Sequence, residues 1–297
     1  MSDFSDAWLA LRVPADTAAR ADELVQGLAG LAPATDGLLQ VLDLGCGTGA
    51  NLRHLAPLLA AVGHRRQQWT CVDHAPALLA RLPAVTGEWA GAAGLACRET
   101  DDGLQLAAGG WEAAVATRRL DLAGDFRVLP VPADGLVTAS ALLDLVSASW
   151  LDAALLARCR AGGCALLFTL SYDGRCTVSP AHGEDARVVD LVNRHQRTDK
   201  GFGPALGPAA AERAAARCRA LGWRVEMAPS DWVLGTEAPD LQHALLAGWR
   251  DAASAMASSG AGLPASRLDA WLTARCGWVA AGRSWLRVGH QDLLALP

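Results

Sequence analysis

Residues 41–50 read Val41-Leu42-Asp43-Leu44-Gly45-Cys46-Gly47-Thr48-Gly49-Ala50, and this run decides the fold. A short apolar stretch ending in glycines reads as a buried parallel strand. Its glycines allow a tight turn and let the backbone come close to a ligand. Residues 50–62 follow as a helix, with Leu52, Leu55, Leu58 and Leu59 on one face. The start of such a helix offers free N–H groups and the positive end of its dipole. Trp69-Thr70-Cys71-Val72-Asp73 is the next strand and Pro76 to Leu82 the next helix. Strand, loop, helix, strand and helix in that order are the βαβ pattern of a parallel α/β sheet.

Outward from this run, residues 5–31 read as helical, with Trp8, Leu11, Leu24, Val25 and Leu28 at helical spacing. Pro14 interrupts them and Asp16 is placed to cap a second helix. Pro33 to Gly37 reads as a turn. Residues 86–110 are rich in glycine and polar side chains and read as an insertion or long loop. Glu112 to Leu122 is a third strand, interrupted near its end by Arg118-Arg119, and residues 135–139 are a fourth. Residues 141–160 read as a helix and Cys164 to Leu170 as a fifth strand. Beyond it, residues 171–208 carry Gly, Pro and charge, with a short helix near Ala186 to His195. A helix over 209–221, a sixth strand from Trp223 to Met227, helices over 239–258 and 264–276, and a last strand from Trp285 to Ala295 complete the pass. No repeat or low-complexity linker divides the chain. One domain over 1–297 is expected: an N-terminal helical cap (1–37), a cofactor-binding core (38–170), and substrate-side insertions with sheet-closing strands (171–297).

Composition narrows the partners. The apolar fraction of 52% supplies a sizeable core. The net charge of −5 argues against duplex nucleic acid as the main partner, because such proteins carry a basic footprint. None of the eight cysteines forms a C-x-x-C pair, so neither a zinc ribbon nor a thioredoxin site is expected, and no metal site is assigned. The acidic start MSDFSDAWLALR lacks the features of a signal peptide, and no apolar run is long enough for a membrane helix. A cytoplasmic protein without a membrane partner is the expectation.

Glycines alone leave two cofactors open, since Gly45-x-Gly47-x-x-Ala50 also satisfies the dinucleotide pattern. Asp43, two residues before the first glycine, is suited to anchor the loop and reach a cationic ligand, and poorly suited to lie near a pyrophosphate. Asp73, at the end of the second strand, can accept both ribose hydroxyls of an adenosine, or cap the helix at Pro76. Val41 to Gly49 (VLDLGCGTG) resembles motif I of the class I S-adenosylmethionine (SAM)-dependent methyltransferases almost residue for residue. The resemblance implies a doubly wound, mostly parallel seven-stranded sheet with an N-terminal helical cap and insertions. It implies SAM as cofactor, with Asp43, Gly45, Cys46, Gly47 and Gly49 about the methionine part and Asp73 and His74 at the ribose. It also implies Asp121 and Leu122 at the adenine, with Asp125 and Asp102 as competitors for that role, and Thr138 beside the transferable methyl. Thr138 and Ser140 can equally satisfy local backbone groups. The fourth strand end, Thr138-Ala139-Ser140-Ala141, does not match the N-P-P-Y type of amino-methylating nucleic-acid enzymes.

Transfer of a sulfonium methyl is a direct displacement in which the protein mainly aligns the reactants. A general base is required only where the acceptor must lose a proton. The densest polar segment, Asn193 to Pro204, holds two arginines, a histidine and Lys200, the sole lysine beside 25 arginines. His195 is a candidate base or substrate hydrogen-bond partner, and Arg197 or Lys200 a clamp for an anionic group; a solvated loop is the alternative. Tyr172, the sole tyrosine, and Asp144 are further catalytic candidates. His290 and Asp292 read as structural. Trp150, Trp232 and Trp249 are candidates to wall the pocket. The expected activity is methyl transfer from SAM to a small-molecule acceptor at oxygen, carbon or carboxyl. An RNA or protein methyltransferase, an NAD-dependent oxidoreductase and a non-catalytic SAM-fold protein are the competing readings.

Overall fold

The computed structural model describes residues 5–33, 36–256 and 262–297. The chain opens with α1 (Asp6–Ala19), capped by the Ser5 side chain, which accepts from the Trp8 N–H. Pro14 does not break this helix, and Asp16 caps nothing. Its carboxylate is buried against Arg12 and Trp232 instead. A 3-10 helix (Asp22–Gly30) turns Leu24, Val25 and Leu28 inward. The turn expected at Pro33 to Gly37 includes residues 34 and 35, which lie outside the described residues.

β1 (Leu38–Leu44), α2 (Ala50–Ala61), β2 (Arg66–Asp73) and α3 (Pro76–Ala92) follow as the sequence pattern requires. α3 runs well past Leu82 and through Pro83, because Leu78, Leu82, Thr86 and Ala90 form one buried stripe. The expected long loop is therefore absent over much of 86–110. In its place, β3 (Ala96–Thr100) and β4 (Gly103–Ala108) form an antiparallel hairpin that pairs with β5 (Trp111–Arg119). The short α4 (Leu122–Asp125) and β6 (Leu136–Ser140) come next. No helix begins at residue 141. A π-helical stretch (Trp150–Leu156) leads into α5 (Ala157–Ala161).

β7 (Ala165–Ser179) is more than twice the expected length, because its outer half pairs antiparallel with the last strand. After α6 (Asp185–His195) and α7 (Ala210–Ala220) come β8 (Arg224–Pro229) and β9 (Trp232–Leu234). The chain ends in α8 (Pro239–Ala255), α9 (Ala265–Ala280) and β10 (Trp285–Leu296). The two final residues of the helix expected over 239–258 lie outside the described residues.

The strands form one sheet in the order β3-β4-β5-β2-β1-β6-β7-β10-β8, with β9 beside β10. Without the β3–β4 hairpin and β9, this is the expected seven-stranded, mostly parallel, doubly wound sheet. β1 pairs parallel with β2 on one side and β6 on the other, so the direction of winding reverses at β1. β10 runs antiparallel between β7 and β8. A six-stranded dinucleotide-binding sheet of order 3-2-1-4-5-6 has no such reversed strand. Two apolar clusters cover the two faces of the sheet, around Leu42 and Phe168 on one and around Val41 and Leu167 on the other. A third cluster, built from α6, α8, α9 and the outer part of β7 and β10, includes Trp232, Trp249 and Trp271. Among the described residues no helix is long and apolar enough to cross a membrane.

Candidate functional site

The winding reversal at β1 opens a crevice beyond the carboxyl ends of the strands, the usual ligand position in open α/β sheets. Gly45, Gly47 and Gly49 all take left-handed backbone angles, with φ of +66°, +54° and +83°. Side chains rarely tolerate that region, so the glycines are a geometric requirement of this turn. The loop is tied to its neighbour strand: the Cys46 N–H donates to the Val72 carbonyl at 3.0 Å and the Gly47 N–H to Asp73 Oδ2 at 2.8 Å. Asp73 Oδ1 accepts from the Ala75 N–H at 2.9 Å, which fixes the turn before α3, but the helix has no side-chain cap. His74 Nδ1 lies 3.3 Å from the same oxygen.

Behind the loop is a buried polar network. Asn51 Nδ2 donates to Asp43 Oδ1 at 2.8 Å and Thr138 Oγ1 at 3.1 Å. Arg20 donates to Asn51 Oδ1 at 2.6 Å and Ser140 Oγ at 3.0 Å, stitching the N-terminal segment to β6. Thr138 donates its hydroxyl proton to the Leu167 carbonyl. Asp43 Oδ2 has no partner among the described residues. Burial pushes the Asp43 carboxyl up to about 7, against the downward pull of Asn51 and Arg20.

A cavity of about 690 Å³ lies in front of the loop, within the size range of small-molecule sites. It brings together Gly45, Asp73, His74 and Leu122 at one end and Asp144, Tyr172, His195 and Lys200 at the other. The remaining candidates lie elsewhere. Asp43, Cys46, Gly47, Gly49 and Thr138 stand behind its wall. Asp121 is exposed and caps α4 by accepting from the Ala123 N–H, which brings Leu122 to the cavity. Arg197 is exposed, with its guanidinium on the Asn193 carbonyl. Asp102 is exposed in the β3–β4 turn, and the Asp125 side chain lies outside the described residues. Trp232 and Trp249 wall the cavity as expected, whereas Trp150 packs behind it against Phe126 and Phe202.

The polar end has a definite electrostatic character. Burial raises the Asp144 carboxyl to about 6, opposed by Arg12 and Lys200, and its Oδ1 is buried without a partner among the described residues. Lys200 Nζ lies 3.4 Å from His195 Nδ1 and 3.1 Å from Thr198 Oγ1. Burial, with the neighbouring Lys200, lowers the His195 imidazole, so a neutral ring is favoured at neutral pH. Burial pushes the Tyr172 phenol upward, and its hydroxyl donates to Asn193 Oδ1 at 2.8 Å. Asp292, read as structural, accepts from the Ala21 and Leu170 N–H groups deep in the fold. His290, read the same way, lines the cavity between the Tyr172 and Trp232 rings.

Several wall residues escaped the sequence reading. Trp8, Leu9 and Arg12 of α1, Leu245 and Ala252 of α8, and Val288 of β10 all face the cavity. Leu9 lies so close to Gly47 that an added Cβ would meet its Cδ1 at 2.9 Å. α1 is therefore a cover on the glycine loop as well as a cap. Asn51, immediately after the loop, carried a legible signal, because a polar residue in the first buried turn of that helix has to find a partner.

No protein-family model matches the sequence, and no curated protein matches it. Solved structures do. A cyclopropane synthase from Mycobacterium tuberculosis overlaps 99% of this chain and 95% of its own, at 14% identity and a TM-score of 0.46. A SAM-dependent methyltransferase from Thiobacillus denitrificans, solved with S-adenosylhomocysteine, overlaps 99% of this chain and all of its own, at 16% identity and a TM-score of 0.40. Another from Geobacter sulfurreducens, also with S-adenosylhomocysteine, overlaps both chains in full, at 16% identity and a TM-score of 0.37. Overlaps of this size carry no functional argument; the loop, Asp73 and the cavity are this chain's own.

Proposed function

We propose that this chain transfers a methyl group from SAM to a small-molecule acceptor held in the same cavity. The observation that carries the proposal is the placing of left-handed Gly45 and the Asp73 carboxylate on one wall of a ligand-sized cavity at the winding reversal. The residues fit the cofactor. Asp73 Oδ2 uses one acceptor site on the Gly47 N–H and keeps another for a ribose hydroxyl, while Oδ1 accepts from the Ala75 N–H and faces His74 Nδ1. Leu120 and Leu122 offer an apolar face for a purine. Gly45 lets the main chain approach the sulfonium amino acid, and Asp43 leaves one oxygen without a partner behind that turn. In this reading Gly45, Asp73, His74 and Leu122 meet the cofactor. Asp43, Cys46, Gly47, Gly49 and Thr138 hold the loop from behind, and Asp121 positions Leu122.

When bound, SAM supplies an activated methyl. The protein has to align an acceptor in line with the sulfur–carbon bond and exclude water. Asp144, His195 and Lys200 stand at the acceptor end, while Tyr172 serves as wall because its hydroxyl is engaged with Asn193. The reversed β10 speaks against a nicotinamide enzyme. Calorimetry with S-adenosylhomocysteine and NAD is the direct test. Saturable heat is expected from the first and none from the second; the reverse pattern overturns the proposal.

A further inference from the structure

The acceptor end of the cavity sets a few polar side chains, Asp144, His195 and Lys200, among aromatic rings. Trp8, Tyr172, Phe202, Trp232 and Trp249 wall it, and of its cations Arg12 is already paired with Asp16. Arg12, on α1, is held by both oxygens of Asp16 and stacks over the Trp232 ring at 5.0 Å. Lys200, on the loop after α6, leans on His195 and Thr198. His290 on β10 is buried, and burial lowers its imidazole to about 4, so it contributes no charge at neutral pH. Two polar atoms of wall residues are left over. Asp144 Oδ1, an acceptor, and Trp8 Nε1, a donor, are both buried with no partner among the described residues. A buried polar group left without a partner is costly, so each of these two atoms calls for a partner that a ligand in the cavity can supply.

Resting on the cofactor reading above, we infer that the acceptor is an uncharged, ring-bearing molecule with an acidic hydroxyl, a phenol or enol, presented to Asp144. Such a group suits both orphans, since it donates to the carboxylate and its ring substituents or oxygen lone pairs accept from the indole. Aromatic walls take up a flat apolar skeleton with offset or edge contacts. Asp144 follows β6 and lines the same cavity as Gly45 and Asp73, so a hydroxyl presented to it would share that cavity with a bound methyl donor. Asp144 would take the hydroxyl proton; SAM, when bound, would supply the methyl, the acceptor oxygen's lone pair forming the new bond and the carbon–sulfur pair staying on sulfur. An amine acceptor is disfavoured, because Arg12 and Lys200 already face the carboxylate.

The test uses the full chain saturated with S-adenosylhomocysteine and three matched probes: 2-naphthol, 2-naphthoate and 2-naphthylmethylamine. Calorimetry is expected to show 2-naphthol binding at least about tenfold tighter than either charged probe. Asp144→Ala should weaken naphthol at least tenfold, which corresponds to about 1.4 kcal/mol. Asp144→Asn should retain naphthol binding yet form no 2-methoxynaphthalene when SAM replaces the product. Preference for the carboxylate or the amine, or naphthol binding indifferent to Asp144→Ala, overturns the inference. Absence of S-adenosylhomocysteine binding would instead overturn the cofactor reading, and the two failures are read from separate titrations.

Discussion

At the scale of single residues, three buried groups couple folding to pH in opposite senses. Burial lifts the Asp43 and Asp144 carboxyls from 3.8 to about 7 and about 6. Over those ranges the folded chain holds protons that the unfolded chain has released, so each group weakens the fold as pH rises through its window. His290 is the converse: lowered from 6.5 to about 4, it stays neutral where the unfolded chain is protonated, and its contribution is lost as pH falls through that interval. Asp144→Asn should therefore gain thermal stability relative to the native chain as pH climbs from about 4 to about 6. His290→Gln should gain as pH drops from about 6.5 towards 4. Melts of both variants across this range check the signs; a pH-independent offset for either would remove that residue from the coupling. Asp73 invites a simpler test. Asp73→Asn keeps one oxygen for a backbone N–H but loses the charge and an acceptor, so S-adenosylhomocysteine should bind about 10- to 100-fold more weakly by calorimetry.

Elements show where local signals stop and packing takes over. The strand–glycine–helix–strand unit from β1 to β2 was legible because its geometry is local: left-handed turns demand glycine, and a central strand covered on both faces must be apolar. α3 and α1 were read too short for the same physical reason. A proline inside a helix costs about 3 kcal/mol, and a buried stripe such as Leu78, Leu82, Thr86 and Ala90 outweighs it, which spacing alone does not reveal. The β3–β4 hairpin was missed because its strands are short, β3 is mostly exposed, and the alternation in β4 amounts to Leu104 and Leu106 alone. In the site, Gly45, Asp73 and the His195–Lys200 pair stood out from neighbouring residues, whereas Trp8, Leu245 and Val288 arrive from elements far apart in the chain. α1 illustrates the consequence. One tie from α1 to the body is Asp16, which accepts from Arg12 on the same helix and from Trp232 Nε1 at 3.0 Å. Asp16→Ala leaves a guanidinium and an indole N–H without their carboxylate. It should cost about 2–4 kcal/mol and raise hydrogen exchange in α1 above that in β1. Unchanged α1 exchange would mean that the apolar contacts of Trp8, Leu9 and Leu11 hold the cover without Asp16.

For the whole molecule the decisive feature is that β7 and β10 pass through all three apolar clusters. Leu166 and Leu293 lie in the first, Leu167 and Leu294 in the second, Tyr172 and Val288 in the third. Strands shared in this way couple the sheet to the helical layer over the acceptor end, so the layers have no seam along which to melt separately. The cavity lies at that junction, with Gly45 and Asp73 from the sheet facing Trp249 and Leu245 from α8. A ligand there binds the assembled molecule and neither half alone. Mass action then sets the size of the effect: at a hundred times its dissociation constant, S-adenosylhomocysteine should add about 2.7 kcal/mol to the folded state. For a chain of this length that is a rise of about 5 °C in the midpoint of one transition. Scanning calorimetry reads both the shift and its shape. Two transitions, of which only the one reporting the β1–β2 region moved, would show that the helical layer folds apart from the sheet and that the cavity is not built by both.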